Sequence, residues 1–198
     1  MSDKNIFLRH SQKENEKRNK VFSSESEDVE IKEEVQQENE YSLVSAQPKA
    51  VVVHCGDPRF QQAFQKFVHN ELNLKAGEYV PLVIPGGISA LTEPETLPKH
   101  FKVTKEQIEF FIEHMSTIKT VVLINHEDCK AYEGLKNKIG NTFLKYAGSM
   151  IQRQQIDLGK VMKALLSLSS FKVNFKAYIA KFTDSEHTTV VFEEVTLK

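Results

Sequence analysis

The chain has 198 residues, enough for one folded domain with a hydrophobic core and an additional segment. Its formal net charge of −1 gives no overall attraction to nucleic acid or to an anionic membrane. No apolar stretch is long enough to cross a bilayer, and the charged start of the chain lacks the apolar core of a signal peptide. The two cysteines do not suggest a secreted disulfide scaffold, so we expect a cytoplasmic protein.

Residues 1–47 differ in composition from the rest of the chain. They hold eleven acidic and seven basic residues, with the basic ones concentrated at the start and the acidic ones after them. Their few apolar residues show no sustained period, so the segment cannot bury enough surface to offset its ordering entropy. We therefore predict a charged, disordered tail over 1–47 and a folded domain over 48–198.

In the predicted domain, short apolar runs alternate with stretches of helical spacing. Runs at 50–53 and 120–124 are typical of parallel strands that are buried on both faces, and 79–84 is a further apolar run that predicts a strand. Between them, apolar residues recur at helical spacing over 59–72 and around 108–115.

The third strand is followed by a polar stretch with short helical pieces and then by a long helix around 158–165. Two strand-like segments, around 172–182 and 187–195, close the domain, and we expect the second to lie antiparallel to the first. The alternation predicts an α/β domain with a mostly parallel central sheet flanked by helices.

One connection is predicted to be irregular. Residues 91–102 contain Pro94 and Pro98, which indicates a loop. Thr104 and Gln107 then match a capping box, so the helix that follows should begin near Thr104.

Residues able to bind a ligand follow three of the predicted strands. Cys55 follows the first, Gly86 and Gly87 follow the second, and His126 follows the third, with Cys129 three residues later. In parallel sheets, ligands bind beyond the carboxyl ends of the strands. Two thiolates and one imidazole suit a zinc ion, and three protein ligands are typical of an open catalytic site. The alternatives are cysteines buried as small apolar residues, or a disulfide between them, which the cytosol disfavours.

Two charged residues lie close to the first cysteine. Asp57 before Pro58 is typical of a helix N-cap followed by proline at the first helical position. Arg59 opposes the helix dipole there, but its guanidinium can clamp the Asp57 carboxylate in a bidentate pair. A solvated surface arginine is the alternative. Gly86 and Gly87 form either a simple turn or a place where the backbone approaches a metal-bound small molecule.

The motifs C-G-D-P-R, P-G-G and H-E-D-C, in this order, resemble the pattern of the β-class carbonic anhydrases. That pattern is C-x-D-S-R, a glycine pair after the next strand, and H-x-x-C after the third. The resemblance covers roughly residues 50–195. It implies a parallel-sheet α/β fold, a zinc ion held by Cys55, His126 and Cys129, and a catalytic pair formed by Asp57 and Arg59. It also implies a homodimer, or a higher even oligomer, that completes the active cleft.

The activity implied by the resemblance is hydration of carbon dioxide to bicarbonate by a hydroxide on the zinc. Asp57 would orient the attacking water, and Gly86 and Gly87 would hold an oxygen of the substrate through their N–H groups. The resemblance also permits a closed state in which Asp57 is the fourth zinc ligand. The chain departs from the pattern at Pro58, where serine is usual, and at Lys130, where glycine is usual.

Three other functions are compatible with parts of the sequence. The same site could hydrolyse a molecule similar to carbon dioxide, such as carbonyl sulfide or carbon disulfide. A non-catalytic, zinc-stabilised domain could bind a partner instead. A metal-free thiol enzyme is disfavoured, because Cys55 is not followed by the C-x5-R loop of the cysteine phosphatases.

Overall fold

The structure, a computed structural model, describes residues 41–92, 97–139, 149–168 and 173–196. The chain divides into two units, Met1–Ser42 and Leu43–Lys198, and almost all described residues belong to the second. The tail predicted over 1–47 lies mostly outside the described residues. Residues 41–49 carry no helix or strand.

The described elements alternate between strand and helix. The strands are β1 Ala50–Cys55, β2 Tyr79–Ile84, β3 Thr120–His126, β4 Asn174–Phe182 and β5 Val190–Glu194. The helices are α1 Gln61–Asn70, α2 Ser89–Thr92, α3 Pro98–His114, α4 Lys130–Ile139 and α5 Met150–Leu168, with a 3-10 turn at Pro58–Phe60 before α1. Among these helices, none has the combination of length and apolarity that a membrane span requires.

The five strands form one sheet in the order β2-β1-β3-β4-β5. The pairs β1–β2, β1–β3 and β3–β4 are parallel, and β5 runs antiparallel to β4. This arrangement confirms the predicted α/β class, the mostly parallel sheet and the antiparallel closing strand.

Helices cover both faces of the sheet, which explains why its central strands are continuous apolar runs. Successive side chains of a strand point to opposite faces. Val51 and Val53 of β1 accordingly pack with residues of α3 and α5, whereas Val52 packs with the phenylalanines of α1. All three valines are completely buried. A strand enclosed in this way has no solvent face on which polar residues would alternate.

The prediction for 91–102 was wrong over its described part. The helix α3 begins at Pro98 rather than near Thr104, and Leu91 and Thr92 end the short helix α2. Proline suits the first helical turn because its fixed φ is helical and the missing N–H would have no intrahelical partner there. Thr104 lies inside α3 and is buried, so it does not cap the helix.

Two leucines of α5 provide a test of this packing. Leu158 is 0% exposed, and Leu158→Ala should lower the free energy of unfolding by about 2–5 kcal/mol because it leaves a cavity in the core. Leu166 lies on the same helix and is 47% exposed, so Leu166→Ala should change that free energy by only about 0.5 kcal/mol. Denaturant-induced unfolding measures both values. Equal losses would contradict the described orientation of α5.

Candidate metal centre

The parallel pairing of β1 with β3 brings the two motif segments to one edge of the sheet. His54 of β1 is in register with Ile124 of β3, so Cys55 and His126, the last residues of these strands, both lie at the carboxyl edge. Cys129 follows three residues after His126, immediately before α4. The predicted convergence at this edge is present in the structure.

The side chains of the two strand-terminal residues arrive from opposite faces of the sheet. Cys55 packs against Tyr132 and Cys129, in a cluster that also includes Met150 of α5. His126 instead packs against the aromatic residues next to α1, with its ring centroid 4.1 Å from that of Phe60. The sulfur of Cys55 and the imidazole of His126 can approach each other only because both strands end at the carboxyl edge of the sheet.

The three predicted metal ligands form one compact cluster. Single ligand atoms of Cys55, His126 and Cys129 lie within 4.8 Å of one another, and the two sulfur atoms are 4.0 Å apart. All three residues are buried, and both cysteines are free thiols.

One nitrogen of the histidine is left available for a metal. His126 Nδ1 lies 2.7 Å from the backbone oxygen of Glu127, and since a carbonyl only accepts, this nitrogen carries the proton. His126 Nε2 is buried and has no hydrogen-bond partner. Metal-binding histidines usually donate their other N–H to a carbonyl or carboxylate in this way. The donor set and the unpartnered nitrogen therefore fit a bound metal ion.

Backbone N–H groups surround the two sulfur atoms. Gly86 N donates to Cys55 Sγ at 3.2 Å, and the N–H groups of Ala131 and Tyr132 face Cys129 at the start of α4. The pKa of Cys55 is lowered, mainly by the hydrogen bond with Cys129 and further by the neighbouring imidazole of His126 and by backbone N–H groups. The pKa of Cys129 is raised, first by the same contact with Cys55 and then by burial. The contact between the two sulfur atoms therefore opposes the simultaneous ionisation of both cysteines when no metal is bound.

Asp57 has the two roles that the sequence predicted for it. Its backbone is extended, as expected before proline, and its carboxylate caps the turn at Pro58–Phe60 by accepting from Arg59 N at 3.0 Å. The guanidinium of Arg59 also clamps this carboxylate, with Nε 3.1 Å from Oδ1 and Nη2 2.8 Å from Oδ2. These bonds lower the pKa of Asp57 and keep it ionised.

Asp128 is a further partner of Arg59 that the sequence analysis did not identify. Arg59 Nη1 donates to Asp128 Oδ2 at 2.9 Å, and Lys130 Nζ lies 3.3 Å from the other oxygen, Oδ1. Lys130 also pairs with Glu133, at 3.1 Å. An acidic residue before a helix is favourable in any case, so no sequence signal distinguished this contact from an ordinary helix-start carboxylate.

The ligand cluster opens into a cavity of about 480 Å³. Both cysteines line it, together with Asp57, Arg59 and Gly86. A larger cavity of about 790 Å³ shares Pro85 and Ala131 with it, and its walls combine aliphatic side chains of β2 with mostly polar side chains of α3. The predicted charged pair and the two predicted cysteine ligands thus border one space.

The glycine pair forms the turn after β2, with φ of +82° at Gly86 and +56° at Gly87. Both N–H groups have acceptors within the protein, because Gly86 donates to Cys55 Sγ and Gly87 donates to the backbone oxygen of Ile84 at 2.8 Å. Gly86 lines the smaller cavity, whereas Gly87 lies against Asn125 and Ile124. The structure therefore connects Gly86 to the candidate metal centre through the sulfur of Cys55.

Comparisons with known proteins give similarity at the level of structure. No protein-family model matches the chain, and no curated protein matches its sequence. Among solved structures, the β-carbonic anhydrase CafA of Aspergillus fumigatus is 14% identical, with 75% of this chain and 76% of that chain covered and a TM-score of 0.46. The β-carbonic anhydrase isoform I of Trichomonas vaginalis is 12% identical, with 100% and 99% covered and a TM-score of 0.47.

An apo form of carbon disulfide hydrolase is also similar, with 12% identity, 77% of this chain and 81% of that chain covered, and a TM-score of 0.40. The chain is thus similar at fold level to β-carbonic anhydrases, as its motifs indicated. This similarity concerns the fold, whereas an activity depends on the geometry of the site.

Substituting Gly86 tests the turn that holds Cys55. An alanine Cβ would lie 2.6 Å from Ala131 Cβ and still closer to Ser89 Oγ. Gly86→Ala should therefore cost at least about 1–3 kcal/mol, the usual penalty of a strained positive φ. Gly159→Ala in α5 meets no atom within 4 Å and should instead stabilise the protein by up to about 1 kcal/mol. Thermal unfolding of both variants measures the difference, and a tolerated Gly86→Ala would contradict the described turn.

Substituting a ligand tests the metal centre. We expect the purified protein to bind a single zinc ion, and His126→Gln to lose most of that affinity because an amide is a weaker zinc ligand than an imidazole nitrogen. Cys129→Ser should behave in the same way. His69→Gln, at an exposed histidine of α1, should bind zinc like the wild type. Metal analysis after dialysis measures the content, and unchanged zinc in His126→Gln would contradict this assignment of the ligands.

Proposed function

We propose that this protein is a zinc enzyme that hydrates carbon dioxide to bicarbonate, with the zinc held by Cys55, His126 and Cys129. The observation that supports this most directly is the buried, unpartnered Nε2 of His126 in a cluster with two sulfur atoms. Asp57, held by Arg59, borders the same cavity. A ligand set with three protein residues leaves a position for water on the metal, and the fixed carboxylate beside it can orient that water.

Zinc is the metal that this donor set favours. Thiolates and imidazole select zinc over the hard cations, which prefer oxygen ligands. When bound, zinc would lower the pKa of a water molecule in its open position and so supply a nucleophile near neutral pH. Two thiolates neutralise the charge of the ion, so the surrounding residues must assist more than they would in an all-imidazole site.

Asp57 provides that assistance in our proposal. An ionised carboxylate only accepts hydrogen bonds, so it can accept one from a water molecule in the cavity and fix its orientation. Arg59 keeps Asp57 ionised and occupies both of its oxygens from one side. The Asp57–Arg59 contact favours the open site over the closed state in which Asp57 is itself a ligand.

The space beside the cluster suits a small, apolar substrate. Carbon dioxide carries no charge and donates no hydrogen bonds, and the larger adjoining cavity has aliphatic side chains of β2 in its walls. Gly86 leaves room for the substrate because it has no side chain. The substrate contacts predicted for Gly86 and Gly87 through their N–H groups stay a prediction, since both groups have acceptors within the protein.

The cytoplasmic location and the homodimer, which the motifs implied, are also part of this proposal. So is lyase activity as the reaction class. They rest on the composition of the chain and on the resemblance of its motifs.

Stopped-flow measurement of carbon dioxide hydration by the zinc-loaded protein tests the proposal. Asp57→Asn should retain zinc but lose at least about 100-fold in kcat, because the neutral amide accepts a hydrogen bond from the attacking water more weakly than the carboxylate and can no longer accept from Arg59 through two oxygens. Glu106→Gln changes an exposed carboxylate of α3 and should leave kcat unchanged.

Full activity of Asp57→Asn would remove Asp57 from the mechanism. A zinc-loaded wild type without hydration activity would refute the proposed function. Turnover of carbon disulfide or carbonyl sulfide by that protein would then identify a hydrolase, and inactivity toward all three would favour a zinc-stabilised binding domain.

A further inference from the structure

Arg59 connects the two chain segments that carry the metal ligands. One edge of its guanidinium faces Asp57, two residues after Cys55. The remaining N–H groups face Asp128, between His126 and Cys129, with Nη1 2.9 Å from Oδ2 and Nη2 3.3 Å from the backbone oxygen. The planar fork of an arginine is well suited to hold two acceptors in fixed directions. Arg59 therefore fixes the first segment relative to the second.

Asp128 has an unusual backbone conformation that makes this contact possible. Its φ is +55°, in the left-handed region that residues other than glycine rarely adopt. The conformation directs both the carboxylate and the backbone oxygen toward Arg59. Aspartate and asparagine adopt this region more readily than other residues with a side chain, so Asp128 suits the position.

We propose that Asp128 is a positioning residue that acts through Arg59 to preorganise the zinc ligands and the carboxylate of Asp57. This inference rests on the proposed zinc site and adds to it a residue that touches neither zinc nor substrate. The side chain of Arg59 is 47% exposed, and exposed single ion pairs contribute little because water competes for them. A guanidinium that is hydrogen-bonded along both edges is fixed in orientation more firmly than one in a single ion pair. Asp128 is the partner of the second edge.

The contacts of Asp128 also define how its loss would act. If the carboxylate of Asp128 is removed, Arg59 keeps Asp57 as a partner. No side chain then connects Arg59 to the segment of His126 and Cys129. The ligands of the two segments would then be less well aligned before the metal binds. Residues that orient metal ligands typically affect metal affinity by about 10–100-fold.

A double-mutant cycle on zinc affinity, measured by competition with a chelator, tests the proposal. Asp128→Gly removes the side chain and accepts the positive φ without strain. We expect the zinc dissociation constant to rise by about tenfold in Asp128→Gly and in Arg59→Ala. The double variant should show no larger rise than Arg59→Ala, because both substitutions break the same link.

Two further variants separate positioning from a general structural role. Asp128→Asn keeps an acceptor for Arg59 and tolerates the positive φ, so it should recover most of the affinity. Glu133→Gln removes a nearby carboxylate that pairs with Lys130, and it should leave the zinc dissociation constant unchanged. The thermal unfolding midpoint of metal-free Asp128→Gly should stay close to that of the wild type.

Three results would overturn the inference: unchanged zinc affinity in Asp128→Gly, an additive loss in the double variant, or a fall in affinity matched by an equal loss of metal-free stability. The measurement does not require turnover. If the protein binds zinc but does not hydrate carbon dioxide, the proposed function is refuted. The zinc affinities of the variants would still test the role of Asp128. A wild type that binds no zinc would contradict both.

Discussion

The parallel register between β1 and β3 is the constraint on which the rest of the site depends. It places Cys55 and His126 at the same edge, although about seventy residues separate them in the chain. A slip of one residue would exchange the faces to which all side chains of a strand point. The register is protected because β1 and β3 are buried on both faces, so a slip would expose or overpack the valines of the core. The packing of the core and the geometry of the ligand cluster are therefore set by the same contacts.

The cluster is a costly arrangement for a protein without a metal. A buried nitrogen of His126 has no hydrogen-bond partner, and the two buried sulfur atoms lie in contact with each other, 4.0 Å apart. Burying a polar atom without a partner destabilises the folded state. Metal binding would remove this cost, which is how metal affinity and folding become coupled. Hydrogen bonds from Gly86 and from the start of α4 prepare the sulfur atoms for this role without replacing the ion.

The two departures from the motif pattern have local explanations. Pro58 begins the 3-10 turn that Asp57 caps, where proline fits without losing a hydrogen bond. Lys130 extends from the start of α4 and pairs with Asp128 and Glu133, so its charge is balanced at the surface. Both residues line the cavity beside the two cysteines and Asp57 without disrupting the contact between the sulfur atoms. Both departures are therefore compatible with the cluster.

Local chemistry in the sequence determined the strands, most helices, the three residues of the Cys-His-Cys cluster and the capping role of Asp57. These features depend on neighbours within a few residues, such as an apolar run or an Asp-Pro pair. The start of α3 was misjudged because Pro98 can either interrupt a helix or begin one, and only the surrounding packing decides between them.

Only the tertiary structure decided how the segments face one another. The sequence placed Cys55 and His126 after strands, but the register and the strand faces decide that their side chains meet. In the same way, the positive φ of Asp128 and the two-sided contact of Arg59 exist only once both segments lie side by side. Contacts between residues far apart in the chain follow from the packing of whole elements, and no local pattern encodes that packing.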